Sequence, residues 1–182
     1  MTPTTPYSAD LSDREPLAAM REAIERMGAL MAAWTPAQFD RTYAPGKWTA
    51  RLILIHLAQT ELALGNRARM ALATPNYAAQ SFDQDRWMDI ESGGAGRSGG
   101  LASPKLGGVE PSEGGLSGMA ALEALGAVNA MNRALFASLS AADRATPFSH
   151  PEYGALTVDW IIHQMAGHLL HHLVQFETIA RT

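Results

Sequence analysis

The chain has no cysteine in its 182 residues. That absence excludes disulfides, thiolate zinc sites and a protein-borne thiol nucleophile, and it leaves histidine and carboxylate as the strong metal ligands. Any thiol chemistry would need an external thiol. Basic residues are also few: 14 Lys and Arg stand against 18 Asp and Glu, for a formal net charge of −4. No basic stripe is available to neutralise phosphates, so nucleic-acid binding is not expected. Long apolar runs are missing as well, none approaching the ~18 residues needed to span a bilayer. The start, Met1-Thr-Pro-Thr-Thr-Pro-Tyr7, lacks the basic region and apolar stretch of a signal peptide. A cytoplasmic protein without membrane contact is the expectation. A domain of this length hides roughly 70% of its unfolded surface, so a single domain over residues 1–182 is expected.

Alternating strand patterns are absent, and helical spacing takes their place. Leu17, Met20, Ile24, Met27 and Met31 recur at steps of three and four behind Ser12 and Glu15, which read as a capping box with Pro16 in the first turn. Thr35, Pro36 and Gln38 read as a second cap, opening a short helix. Thr49 caps a second long helix with Leu52, Ile55, Leu62 and Met70 on its apolar positions, stopped by Thr74-Pro75. Residues 92–118 hold ten of the sixteen glycines and few large apolar residues, a composition that predicts a mobile crossover loop. No phosphate-cradling glycine motif occurs within it. Met119, Leu122, Leu125, Val128, Met131, Leu135 and Leu139 restore helical spacing in a third helix. A connection from Phe148 to Leu156 leads to a fourth helix that begins near Thr157. Trp34-Thr35-Pro36-Ala37 and Leu139-Ser140-Ala141-Ala142 make a weak internal repeat. The predicted fold class is all-α, a four-helix bundle with its sites built from facing helices.

The fourth helix carries four of the six histidines. At 100° per residue, Gln164, His168, His172 and Gln175 share one stripe, with His171 about 60° to one side and His163 about 140° from His168. His168 and His172, one turn apart, can aim at one point. A lone histidine reads better as a satisfied core or surface residue, and the i, i+4 pair brings the metal reading level with it. His56 lies among Leu54, Ile55, Leu57 and Ala58, an environment that suggests burial, where a neutral imidazole needs a hydrogen bond or a metal. A three-histidine metal site of His56, His168 and His172 is the economical account, with the three ligands of a catalytic centre that keeps a position open. His171 reads as a flanking partner, and His163 as paired with Asp159. Glu61 is a weak catalytic candidate as a general base, because it points about 140° away from His56 and reads better as a solvated or structural carboxylate. Gln59 and Thr60 are better placed to orient His56. Trp48, Tyr77, Trp87 and Trp160 read as packing residues more than as a substrate mouth.

Tyr43-Ala44-Pro45-Gly46-Lys47-Trp48-Thr49 leads into Ile55-His56-Leu57-Ala58-Gln59-Thr60-Glu61, and Gly154-Ala155-Leu156-Thr157 leads into His168-Leu169-Leu170-His171-His172-Leu173-Val174-Gln175. In these segments the chain resembles the DinB/YfiT-like superfamily of metal-dependent bundle proteins. The resemblance implies a four-helix bundle with a long crossover between the second and third helices, and a divalent metal, zinc or nickel, on His56, His168 and His172. The family's tail is most often H-H-R-G-Q, and Leu173-Val174 stand here for Arg-Gly. It also implies a small-molecule substrate and homodimers, and activities that are largely transferases or isomerases using a low-molecular-weight thiol such as mycothiol, bacillithiol or glutathione. A metal on neutral histidines would activate water or such a thiol without a protein cysteine. The alternatives are a metal-stabilised stress-response or interaction bundle without turnover, and a small-ligand binding bundle whose histidines are structural.

Overall fold

Four long helices carry the structure, a computed structural model in which residues 2–91 and 115–181 are described. They are α2 (Pro16–Met31), α4 (Ala50–Ala73), α6 (Gly118–Ser138) and α8 (Val158–Ala180). The shorter elements are α1 (Ser8–Leu11), α3 (Pro36–Phe39), α5 (Gln84–Glu91), α7 (Ala141–Arg144) and a hairpin of β1 (Pro147–His150) and β2 (Gly154–Thr157). The glycine-rich stretch expected as a crossover loop lies, as far as residue 114, outside the described residues. No described helix is long and apolar enough to cross a membrane.

Caps set most helix boundaries where the sequence places them. Thr49 Oγ1 accepts from the Leu52 N–H at 3.3 Å and Thr157 Oγ1 from the Trp160 N–H at 3.3 Å, each satisfying a donor that the first turn leaves free. Thr35 with Gln38 and Ser140 with Asp143 form capping boxes on α3 and α7, so the two halves of the weak repeat share one local solution. The start of α2 differs from the sequence reading. Glu15 is its N-cap, accepting from the Leu17 and Ala18 N–H groups at 3.1 and 2.7 Å, because Ser12 closes α1 with φ at 55°. The connection over Phe148–Leu156 also differs: Phe148 pairs with Leu156 and His150 with Gly154 in an antiparallel ladder. Strands of four residues are too short to display an alternation in sequence, and Gly154, at φ 71°, supplies the left-handed residue that closes the three-residue loop.

Helix α2 packs on α8 and α6, and α4 packs on α6 and α8. The ring therefore runs α2, α8, α4, α6, and the α2–α4 and α6–α8 connections each cross a diagonal. Each of those connections contains one of the two capped single turns, α3 and α7. Helix α4, flanked by α6, α8 and α5, keeps only a narrow strip for solvent, and Leu62 and Met70, read from the sequence as core positions, fall on that strip with Asn66.

Helix α6 is rotated from the face its large apolar residues suggest. Ala121, Leu125, Asn129, Asn132 and Phe136 are buried, while Met119 and Met131 are exposed. The cause is on α4. Glu61 is only 3% exposed, so its carboxylate must find donors in the facing helix. Asn129 Nδ2 donates to Oε1 at 3.1 Å, and Asn132 Nδ2 donates to Oε2 at 2.8 Å and to the Glu61 carbonyl at 2.9 Å. Both amides are held in that sense from behind, Arg69 Nη1 donating to Asn132 Oδ1 at 2.7 Å and Arg133 Nε to Asn129 Oδ1 at 2.9 Å. Gly65 makes room for the seam, since a Cβ there would sit 2.3 Å from Asn132 Oδ1. Burial pushes the Glu61 carboxyl up to about 7, against the pull of Asn132, Asn129 and the Arg133 charge.

The folded value lies above the ordinary 4.5, so the cost of burying the charge is fully present above pH 7 and is relieved as pH falls toward 4.5. Asn132→Ala leaves one Glu61 carboxylate oxygen without its donor and Arg69 with only the Gly65 carbonyl, 2.9 Å from Nη1. It is expected to lower unfolding free energy by about 2 kcal/mol at pH 8 and by less at pH 5, where the carboxyl is neutral. Chemical denaturation at the two pH values reads the difference.

Candidate metal centre

Helix α4 presents His56 to α8, which presents His168 and His172 from consecutive turns of its buried face. His168 Nε2 lies 3.1 Å from His56 Nε2 and 3.0 Å from His172 Nε2. The three side chains are among the most deeply buried polar groups, at 4%, 4% and 7% exposure for His56, His168 and His172. Aromatic rings wall the cluster, Trp48 at 5.2 Å from His56 and Tyr7 at 4.8 Å from His168, centroid to centroid.

Such an arrangement has to be neutral. Burial, followed by the proximity of His172, drops His56 to about 3, and burial, opposed by the hydrogen bond to Gln175, drops His172 to about 4. His168 falls well below its usual 6.5 through burial and the neighbouring histidines. Three neutral imidazoles whose Nε2 atoms converge cannot all be satisfied by one another. The His172 Nδ1–H donates to Gln175 Oε1 at 2.8 Å, which leaves its Nε2 as a lone pair. A single proton on His168 Nε2 can serve only one of its two neighbours well. One cation serves all three lone pairs at once, and tetrahedral bonds of ~2.0–2.1 Å would set nitrogens about 3.3 Å apart. The donor set therefore fits a divalent metal ion, and these three residues form the one such cluster among the described residues.

The other residues singled out in the sequence separate from this cluster. Glu61 faces α6 and belongs to the asparagine seam, as a buried structural carboxylate rather than a solvated one. Thr60 and Gln59 do not hydrogen-bond the His56 ring: Thr60 Oγ1 donates to the His56 carbonyl at 2.9 Å, and Gln59 Nε2 donates to the Trp87 carbonyl at 3.2 Å. His56 Nδ1 has no hydrogen-bond partner among the described residues. His163 does pair with Asp159, 3.6 Å away. Trp160 packs in the interior and donates from Nε1 to the Thr4 carbonyl at 3.0 Å, while Tyr77 and Trp87 line a separate open groove beside Leu62 and Met70. Of the four aromatics, only Trp48 borders the histidines. Sequence reasoning missed Tyr7 and Asp10, which α1 and its lead-in bring to α8. The one signal for them is Gly167, where a Cβ would lie 2.5 Å from the Tyr7 carbonyl.

With this geometry in place, similarity to known proteins narrows the family. The DinB superfamily pattern matches residues 19–176. "Putative metal-dependent hydrolase OB0782" of Oceanobacillus iheyensis is 25% identical over 144 residues, covering 79% of this chain and 72% of that protein. A second protein of that organism, "Putative metal-dependent hydrolase OB0413", is 27% identical over 62 residues, 34% of this chain and 36% of its own length. YfiT from Bacillus subtilis, described as a probable metal-dependent hydrolase with an unusual four-helix bundle topology, superposes with a TM-score of 0.72 at 17% identity. That superposition covers 100% of this chain and 90% of YfiT.

Three histidines that are neutral in the folded chain and protonated in the unfolded one make the metal-free protein acid-sensitive. Their contribution is flat above the ordinary 6.5 and is lost as pH falls from 6.5 through about 4 for His172 and about 3 for His56. Near pH 5 three such protons correspond to a slope of about 4 kcal/mol per pH unit. His56→Leu is expected to remove about a third of that slope, read from denaturation midpoints between pH 7 and 4.5.

Proposed function

The chain belongs to the DinB superfamily, and from that premise we propose that it is a metal-dependent enzyme in which His56, His168 and His172 hold a zinc or nickel ion through their Nε2 atoms. The observation that carries the reading is the convergence of three buried, neutral imidazoles at 3.0–3.1 Å around His168. A divalent cation there supplies Lewis acidity and makes water or a small thiol nucleophilic near neutral pH. The names of the two relatives support metal-dependent hydrolysis. The absence of cysteine supports an external low-molecular-weight thiol as the other nucleophile the site would accept.

The protein's own residues supply the setting. His56 and the His168–His172 pair come from two packed helices, so their spacing is fixed by the α4–α8 interface rather than by a loop. Burial keeps all three imidazoles neutral at neutral pH. The rings of Trp48 and Tyr7 exclude water from two sides of the cluster, which strengthens electrostatic interactions within it. No carboxylate joins the three histidines among the described residues, in keeping with a three-ligand site that leaves one position for water or substrate.

Metal analysis of protein made without a histidine tag is expected to give about one zinc or nickel per chain. His168→Ala is expected to lower affinity at least 100-fold while helical content by circular dichroism is retained. Ester and amide panels, run beside small thiols with electrophiles, then separate hydrolysis from thiol transfer. Failure to bind stoichiometric metal under any loading condition would sink the proposal.

A further inference from the structure

His172 is not held by Gln175 alone. Gln175 Nε2 is 3.3 Å from His171 Nε2, and His171 Nδ1 is 3.5 Å from Asp10 Oδ1. We infer that Asp10, His171 and Gln175 are positioning residues: a charge contact followed by two hydrogen bonds that together fix His172 in the tautomer whose Nε2 lone pair faces the histidine cluster. The inference rests on the preceding reading for its use in metal binding, though not for the tautomer itself.

The direction is biased from the outer end. The Asp10 carboxylate, 3.5 Å from His171 Nδ1, draws the proton of a neutral His171 to that nitrogen and leaves a lone pair on its Nε2. That lone pair takes the Gln175 amide N–H, which turns Gln175 Oε1 toward His172. Oε1 in turn accepts from the His172 Nδ1–H at 2.8 Å. The reversed chain would set a Gln175 N–H against His172 Nδ1, place a proton on His172 Nε2 where a ligand lone pair is needed, and aim a bare His171 Nδ1 at the Asp10 carboxylate. One charge in α1 thus selects the state of a nitrogen three side chains away.

The segment that carries Asp10 is itself docked on α8. Trp160 donates to the Thr4 carbonyl, Tyr7 packs on His168 and His171 at 4.8 and 5.2 Å, and the Tyr7 backbone fits only because residue 167 is glycine. The N-terminal segment, outside the four-helix frame, is therefore part of the site. His56, whose Nδ1 has no partner among the described residues, has no such support, so the alignment of the cluster falls on α8.

The test uses the full chain labelled with 15N. In metal-free protein at pH 8, long-range proton–nitrogen correlation of the imidazoles is expected to show His172 as the Nδ1–H tautomer. Gln175→Leu is expected to mix the tautomers and to weaken binding of zinc ion, measured by competition with a chromophoric chelator, about 10–100-fold. Gln175→Glu keeps the acceptor and is expected to restore both readouts. Asp10→Ala, at a partly exposed position, is expected to shift the tautomer partway and weaken zinc about threefold, and it serves if the Leu variant does not fold. His172 found as Nε2–H in the wild type, or an unchanged tautomer and affinity in both Gln175→Leu and Asp10→Ala, would overturn the inference. An Nδ1–H His172 that responds to these variants in a protein that never binds zinc upholds the chain and removes the metal reading instead.

Discussion

Burying three imidazoles at one point between α4 and α8 is the constraint around which the structure is organised. A neutral imidazole taken out of water must place one donor and one acceptor, and here two of them lie within 3.1 Å of the third in the middle of the apolar core. That arrangement is tolerable only where every neighbouring feature lowers its cost. Trp48 and Tyr7 give the rings aromatic surfaces, Gln175 takes up the outer nitrogen of His172, and Gly167 admits the chain that carries Tyr7. The surrounding core of α8, from Trp160 through Phe176 and Ile179, is otherwise apolar and nearly fully buried, so the helix position is fixed by packing and the histidines inherit that precision.

A second polar seam lies on another side of the same helix. His56 and Glu61, five residues apart, point about 140° away from each other, the first toward α8 and the second toward α6. Each interface of α4 therefore carries a polar group that only its present neighbour satisfies: histidines on α8, asparagines on α6. Exchanging α6 and α8 around α4 would strand both groups without partners. The apolar contacts alone would permit several ring orders, and the two seams select one. The diagonal connections through α3 and through α7 with its hairpin follow from that selection.

What could be read from the sequence was what local spacing determines. His168 and His172 needed only the helical period, and the caps at Thr49 and Thr35 needed only side chains next to first-turn amides. His56 became legible from its apolar neighbours together with the motif around it. The rotation of α6 was hidden because Asn129 and Asn132 read as surface residues until Glu61 is known to face them. The hairpin was hidden by its four-residue strands, and the roles of Tyr7 and Asp10 by the roughly 160 residues of chain between them and the helix they touch. In each of these cases the deciding partner lies far away in sequence, beyond the reach of a periodicity argument.

The tail of the last helix shows where the functional weight of the motif rests. At the two positions where the resembled family most often has arginine and glycine, this chain has Leu173, 3% exposed, and Val174, 59% exposed. An arginine at 173 would need a partner inside an apolar interface, and leucine there extends the core packing of α8 up to the edge of the histidine cluster. The glutamine that ends the motif stands at 175 and holds the His172 Nδ1–H. The chain thus gives up the charged element of the tail and keeps the element that orients a histidine. For this protein, then, the orientation of His172, and not an arginine beside it, is what the end of the motif contributes to the site.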